Sequence, residues 1–215
     1  MGNITTIFDL LDNWRHFPSY QLERRADIFF AVFLPDVIKK TFNSEVKTII
    51  PEFPIRVGTI YPDKPINKSY KADYFVLTEG TNQCILVELK TDDTSRREEQ
   101  DDYLTAAQEV KLHALIDGVI SIYEATEYKQ KYRSLINELI SSGLLKEDGS
   151  DLVNCASDET EITILYIQPN PSENDDKKSI SFAVYSEIVA EHEDELSLRF
   201  SKSLIEWANV KPGQQ

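Results

Sequence analysis

Two apolar runs separated by a short polar turn constrain the fold of this chain more than any other feature. The runs are YFVL over 74–77 and CILVEL over 84–89, and the segment between them contains EGTN over 79–82. This pattern predicts a β-hairpin. A half-exposed strand alternates apolar and polar residues, whereas these runs are apolar at nearly every position, so both faces of the hairpin should be covered.

The remaining pattern predicts helices on either side of this hairpin. Apolar residues at helical spacing predict a short helix over 4–13 and a longer one that Ser19 would cap and that Pro35 would end or kink. The later elements are an extended segment with edge-strand prolines over 45–57, a long helix from Thr94, a helix ending near Gly143, strands over 161–169 and 179–189, and a last helix over 198–210. This order predicts one α/β domain over 1–215, with a central mixed β-sheet and helices on both of its faces.

Composition narrows the class of protein. No apolar run approaches the roughly 20 residues of a membrane span, and the first 14 residues carry acids where a secretory leader would be basic, so we expect a cytoplasmic protein without a membrane partner. The two cysteines form no disulfide framework and no zinc-binding spacing. With 23 basic and 37 acidic residues the net charge is −14, which disfavours broad electrostatic binding of nucleic acid and suits a basic protein partner.

Three charged residues interrupt the apolar hairpin, and its register brings them together. If the turn centres between residues 80 and 81, Phe75 lies opposite Leu86 and Asp73 lies opposite Glu88. Directly opposed residues share a face of the sheet, and Lys90, two positions after Glu88, points the same way. Two carboxylates and one ammonium group are therefore expected on one face.

Opposed carboxylates repel each other unless something neutralises them, because their Cβ atoms are only about 5 Å apart. A divalent cation would do so, and hard oxygen ligands suit Mg²⁺ or Mn²⁺. The main-chain carbonyl of Leu89 is a further candidate ligand, and Lys90 could hold a phosphate oxygen or orient a water molecule. Asp73, Glu88 and Lys90 thus have the chemistry for phosphodiester hydrolysis. The plainer alternative is that Asp73 pairs with Lys90 at a strand end while Glu88 is solvated.

This arrangement resembles the core motif of the PD-(D/E)xK nuclease superfamily. Asp73, fourteen intervening residues and then Glu88-Leu89-Lys90 stand at the end of an apolar strand, as the acid and the acid-x-lysine triplet do in that family. The resemblance implies a restriction-endonuclease-like fold. It also implies that Asp73 and Glu88 bind the metal and that Lys90 is the catalytic lysine.

The same resemblance extends the candidate site beyond the hairpin. In this family an acid on the preceding helix often joins the ligand set, which makes Glu23 a candidate, with Asp27 one turn later as a reserve. Four residues on the long helix predicted from Thr94 are candidates for contacts with phosphates: Arg96, Arg97, Gln100 and Lys111. The sequence therefore predicts a Mg²⁺- or Mn²⁺-dependent nuclease acting on DNA rather than RNA. The alternative is an inactive nuclease-like module that docks a basic protein partner.

Overall fold

The computed structural model describes residues 2–64, 68–80, 83–92, 96–170 and 178–209. Within these ranges the helices are α1 (Asn3–Trp14), α2 (Leu22–Phe42), α3 (Val57–Ile60), α4 (Glu98–Glu109), α5 (Lys111–Ala125), α6 (Lys129–Ser141), α7 (Phe182–Ala190) and α8 (Glu195–Ala208). The strands are β1 (Val46–Arg56), β2 (Ser69–Thr78), β3 (Gln83–Leu89), β4 (Leu145–Asp148), β5 (Asp151–Asn154), β6 (Glu161–Gln168) and β7 (Lys178–Ser181).

Five of the strands form one mixed sheet in the order β1-β2-β3-β6-β7. The first three strands pair antiparallel, and β6 pairs with β7 in parallel. Strand β1 lies at an edge of the sheet, as its two prolines predict, because a proline cannot donate a ladder hydrogen bond. The predicted α/β class with a mixed sheet is therefore confirmed. No helix in the described ranges is both long and apolar enough to cross a membrane.

The chain divides into two compact units, each assembled from separate stretches of sequence. The first unit comprises Met1–Asn43, Leu89–Arg96 and Leu165–Gln215, and the second comprises Ser44–Glu88 and Arg97–Ile164. The single domain over 1–215 that the sequence predicts stays a prediction.

An aromatic cluster forms the core of the first unit. The ring of Phe30 contacts those of Tyr185, Phe200 and Trp207, with centroids 5.2 to 6.5 Å apart. The Tyr185 hydroxyl donates to the Phe30 carbonyl at 2.6 Å, which satisfies a polar group inside this apolar cluster. Helices α2, α7 and α8 are held together by these contacts.

Helix α2 differs from its predicted form at its N-terminus. Its N-cap residue is Gln21 rather than Ser19, which has a φ of 62° and lies outside the helix. Pro35 lies within the helix, which continues to Phe42. The turns on either side of Pro35 bury Phe33, Leu34 and other apolar side chains, so tertiary packing outweighs the lost hydrogen bond.

Three further predictions need correction. The helix predicted from Thr94, which is outside the described residues, is two helices that meet at Lys111, where φ is 65°. The strand predicted over 179–189 is β7 followed by α7, and the Ser181 hydroxyl caps that helix by accepting from the Val184 N–H at 3.1 Å. The short hairpin β4–β5 was not predicted at all.

Candidate functional site

The register of the β2–β3 hairpin is the one that the sequence predicts. Phe75 lies opposite Leu86, and Tyr74 lies opposite Val87. Asp73 precedes Tyr74 and Glu88 follows Val87, so the same register continued by one residue sets Asp73 opposite Glu88. The turn residues 81 and 82 lie outside the described residues. The expected position of the two carboxylates on neighbouring strands is therefore supported by the four pairs that join residues 74–77 to residues 84–87.

Glu88 is a buried carboxylate, with only 2% of its surface exposed. The alternative in which Glu88 is solvated at a strand end is therefore wrong. Asp73 is half-buried. A buried carboxylate strongly disfavours its charged form unless hydrogen-bond donors or a cation surround it. The environment of Glu88 therefore decides what this site can do.

Gln100 on the first turn of α4 supplies such a donor, because its amide group hydrogen-bonds to Glu88 Oε1. The sequence assigned Gln100 to phosphate binding, which stays a prediction, and gave no sign of this contact. A hydrogen bond to a charged carboxylate is stronger than one between neutral groups. Gln100 thus fixes one oxygen of Glu88 and the orientation of its side chain.

Two stacked tyrosines next to this pair were missed by the sequence analysis. The rings of Tyr70 and Tyr103 are 4.4 Å apart and nearly parallel. The Tyr103 hydroxyl donates to the Lys71 carbonyl at 3.0 Å, and the Tyr70 hydroxyl donates to Glu99 Oε1 at 3.1 Å. These contacts join α4 to strand β2.

The carboxylates of the site also act on the phenol of Tyr103. Burial raises its pKa first, and the negative charges of Glu88 and Asp73 raise it further, against a lowering by Gln100. The pKa of Tyr70 is raised mainly by its hydrogen bond to Glu99. At neutral pH Tyr103 is therefore an uncharged hydroxyl within electrostatic range of both acids. The signal that could have identified it is a tyrosine on the buried face of a predicted helix that follows the hairpin.

Leu89, Lys90 and Glu23 belong to the first unit. Leu89 ends β3 and is buried, and Lys90 is 5% exposed, with its backbone N–H donating to the Ile167 carbonyl at 2.8 Å. Glu23 is half-buried on the first turn of α2, and the exposed Asp27 accepts from the Ile28 N–H at 2.7 Å. The roles assigned to these residues, with Leu89 and Glu23 as ligands and Lys90 as the catalytic lysine, stay predictions.

The predicted phosphate-binding cations have different surroundings. The Arg96 guanidinium lies 4.2 Å from the ring centroid of Tyr166, within the first unit, in a cation–π contact. In the second unit, Arg97 is the exposed N-cap residue of α4, and Lys111 is exposed where α5 begins. The acids Glu98, Glu99 and Asp101 occupy the first turn of α4, so this helix end is acidic apart from Arg97.

Comparison with protein-family models, with curated proteins and with solved structures finds no match for the chain. The resemblance to the PD-(D/E)xK nucleases therefore rests on the residues themselves. They are Asp73, Glu88 and Lys90, together with the register of the hairpin that carries the first two.

The metal-binding capacity of the site follows from its donor set. In the described part of the chain, no group of three or more His, Cys, Asp or Glu side chains is placed to hold a metal ion. Asp73 and Glu88 are two carboxylates, and Mg²⁺ in phosphate-processing sites is commonly held by one or two carboxylates, with waters and substrate phosphates completing its six ligands. Two carboxylates supply the number of acidic ligands that such an ion commonly takes, and a metal ion held by Asp73 and Glu88 stays a prediction. Glu23 as a third ligand stays a prediction.

Proposed function

We propose that the protein is a metal-dependent nuclease of the PD-(D/E)xK type with a restriction-endonuclease-like fold, using Mg²⁺ or Mn²⁺ and acting on DNA in preference to RNA. One observation carries the proposal. Tyr74 pairs with Val87 and Glu88 is buried, and the same register continued by one residue would set Asp73 opposite Glu88. Like charges on opposed strand positions repel each other, and a divalent cation is the neutralising group that the motif implies.

The residues of the chain have separate tasks in this reaction. Asp73 and Glu88 would hold the ion, with the Leu89 carbonyl as a further ligand, and Gln100 keeps Glu88 in one orientation. When bound, the ion supplies electrostatic stabilisation for the charge that develops on the phosphate. Lys90, assigned from its place in the sequence motif, would stabilise the same charge or orient the attacking water.

Cleavage assays test this proposal directly. Supercoiled plasmid, single-stranded DNA and RNA would be incubated with the protein in Mn²⁺, in Mg²⁺ and in chelator. We expect cleavage of DNA in either metal and none in chelator. Asp73→Asn and Lys90→Ala should both abolish cleavage, whereas the matched variant Asp158→Asn changes an exposed acid in a turn and should cleave like wild type. Full activity of Asp73→Asn would overturn the proposal.

The net charge of −14 favours a second candidate from another class. An acidic surface attracts basic proteins and repels phosphate backbones, so the fold could serve as a module that docks a basic partner. Two results together would favour this candidate. They are the absence of cleavage in both metals and a salt-sensitive affinity for a polycationic peptide that exceeds the affinity for DNA.

A further inference from the structure

A groove of about 450 Å³ lies between the edge strand β1 and helix α6 in the second unit. Its volume is within the range of pockets that bind small organic ligands. It contains none of the residues assigned to the nuclease site, so an inference about it does not rest on the proposed function.

The groove has an apolar wall and one aromatic ring. Ile49, Pro51 and Pro54 line it from β1, and Tyr132 and Leu135 line it from α6. Tyr132 and Leu135 are both half-buried. A phenol ring at the side of an apolar groove offers a flat surface against which a planar ligand can stack.

Two lysines and two glutamates line the groove, and one of the lysines has no ion-pair partner among the described residues. Lys71 forms an ion pair with Glu52, and the Thr48 hydroxyl donates to Glu138. Lys131 is exposed, lies 6.0 Å from the ring centroid of Tyr132, and makes no ion pair with any residue that the structure describes. The groove therefore combines a planar apolar surface with one ammonium group that is not ion-paired, and the Glu138 carboxylate lines the same groove.

The sequence around Lys131 carries further basic residues, of which Arg133 pairs with Glu147 at 3.8 Å. The segment 128–135, YKQKYRSL, contains three basic residues and no acid, although the whole chain carries a net charge of −14. Basic side chains interleaved with tyrosines are typical of surfaces that contact nucleotides, since the cations hold phosphate and the rings stack on bases.

A peptide strand added to β1 does not fit the same groove. Pro51 and Pro54 have no N–H to donate, and Glu52 between them has a φ of 52°, which interrupts the extended backbone. Recognition by main-chain pairing is thereby blocked along this part of the edge. The occupant must be recognised through side chains.

We propose that the groove binds a mononucleotide unit, with its base against Tyr132 and its phosphate on Lys131. The unit could be a free nucleotide or one nucleotide of a single strand, because both present the same base and phosphate. The serine hydroxyls of Ser69 and Ser134, which also line the groove, are available to the sugar or the base edge.

Isothermal titration calorimetry in chelator, where no metal-dependent cleavage can occur, tests this site. The probes are adenosine monophosphate, adenosine and a short 5′-phosphorylated oligoadenylate. The wild type should bind adenosine monophosphate about tenfold more tightly than adenosine, which corresponds to one added charge contact. Lys131→Gln should remove this preference and leave the affinity for adenosine unchanged, whereas Tyr132→Leu should weaken both ligands.

Lys129→Gln is the matched control, since Lys129 lies on the same helix and does not line the groove. It should change each affinity less than about twofold, and circular dichroism should show all three variants folded, because the changed side chains are at least partly exposed. Tighter binding of the oligoadenylate than of the monophosphate would assign the groove to a strand, and equal or weaker binding would assign it to a free nucleotide. Three results would each overturn the proposal. They are no binding of adenosine monophosphate at millimolar concentration, an affinity for adenosine equal to that for the monophosphate, and a loss of affinity in Lys129→Gln equal to that in Lys131→Gln.

Discussion

Replacing Gln100 by leucine removes the hydrogen-bond donor to Glu88 Oε1 while keeping a side chain of similar size. The lost partner is a buried carboxylate, and hydrogen bonds to charged groups contribute about 2 kcal/mol to stability. The free energy of unfolding of Gln100→Leu in chelator at neutral pH should therefore be lower than that of wild type by about that amount. Urea denaturation followed by circular dichroism measures the difference.

Gln108→Leu is a close control on the same helix. The Gln108 amide donates to the Ile162 carbonyl at 2.6 Å, which is a neutral acceptor, and the Gln108 side chain is more exposed. Its loss should cost about 1 kcal/mol or less. If the two variants are equally stable, Glu88 is not a charged acceptor that depends on Gln100, and the account of its environment is wrong.

Three further predictions concern titration, reactivity and substrate contacts. The pKa of Tyr103 is raised in the folded state, so the free energy of unfolding should fall as the pH rises above about 10. Tyr103→Phe should make this fall with pH shallower by up to about 1.4 kcal/mol per pH unit. An unchanged dependence on pH would contradict the buried phenol. Burial raises the pKa of the Cys84 thiol to about 12, whereas Cys155 is exposed, so a thiol reagent at pH 8 should label native wild type once and native Cys155→Ser not at all. Labelling of native Cys155→Ser would show that the β3 strand is accessible. If Arg97 contacts a phosphate, a plot of log affinity for DNA against log salt concentration should be less steep for Arg97→Ala than for wild type, by about 0.9. Equal slopes would show that Arg97 is an ordinary surface charge.

The hairpin could be predicted because its determinants are local. Two apolar runs and an even-numbered turn fix which residues face each other, and the pairing of Phe75 with Leu86 follows from that count alone. The hairpin β4–β5 carries a comparable signal that was overlooked. Gly149 and Ser150 form a two-residue connection between Asp148 and Asp151, and Gly149 has a φ of 63°.

Other elements were mispredicted because competing preferences are close in energy or because packing decides them. The apolar run over 179–189 suits a strand or a helix, and the cap at Ser181 selects the helix from Phe182 onward. The break at Lys111 has no glycine or proline to mark it. Pro35 removes one helical hydrogen bond, and α2 continues past it because its buried face includes residues on both sides of the proline.

In the candidate site, too, the features set by neighbouring residues could be predicted from the sequence, and those set by tertiary packing could not. The register that carries Asp73 and Glu88 follows from the hairpin, whereas the contacts of Gln100 and Tyr103 depend on how α4 packs against β2 and β3. Residues from distant parts of the sequence meet only through that packing. No spacing rule along the chain predicts such a hydrogen bond.

Thermal and chemical unfolding during a Mn²⁺ titration tests the central claim, a cation site between Asp73 and Glu88, most directly. In chelator, Asp73→Asn removes a repulsion and should be as stable as wild type or more stable. At a Mn²⁺ concentration 100 times the dissociation constant, the wild type and Asp158→Asn should each gain about 2.7 kcal/mol, and Asp73→Asn should gain much less. Equal gains in wild type and Asp73→Asn would show only diffuse cation binding to an acidic surface and would contradict the site.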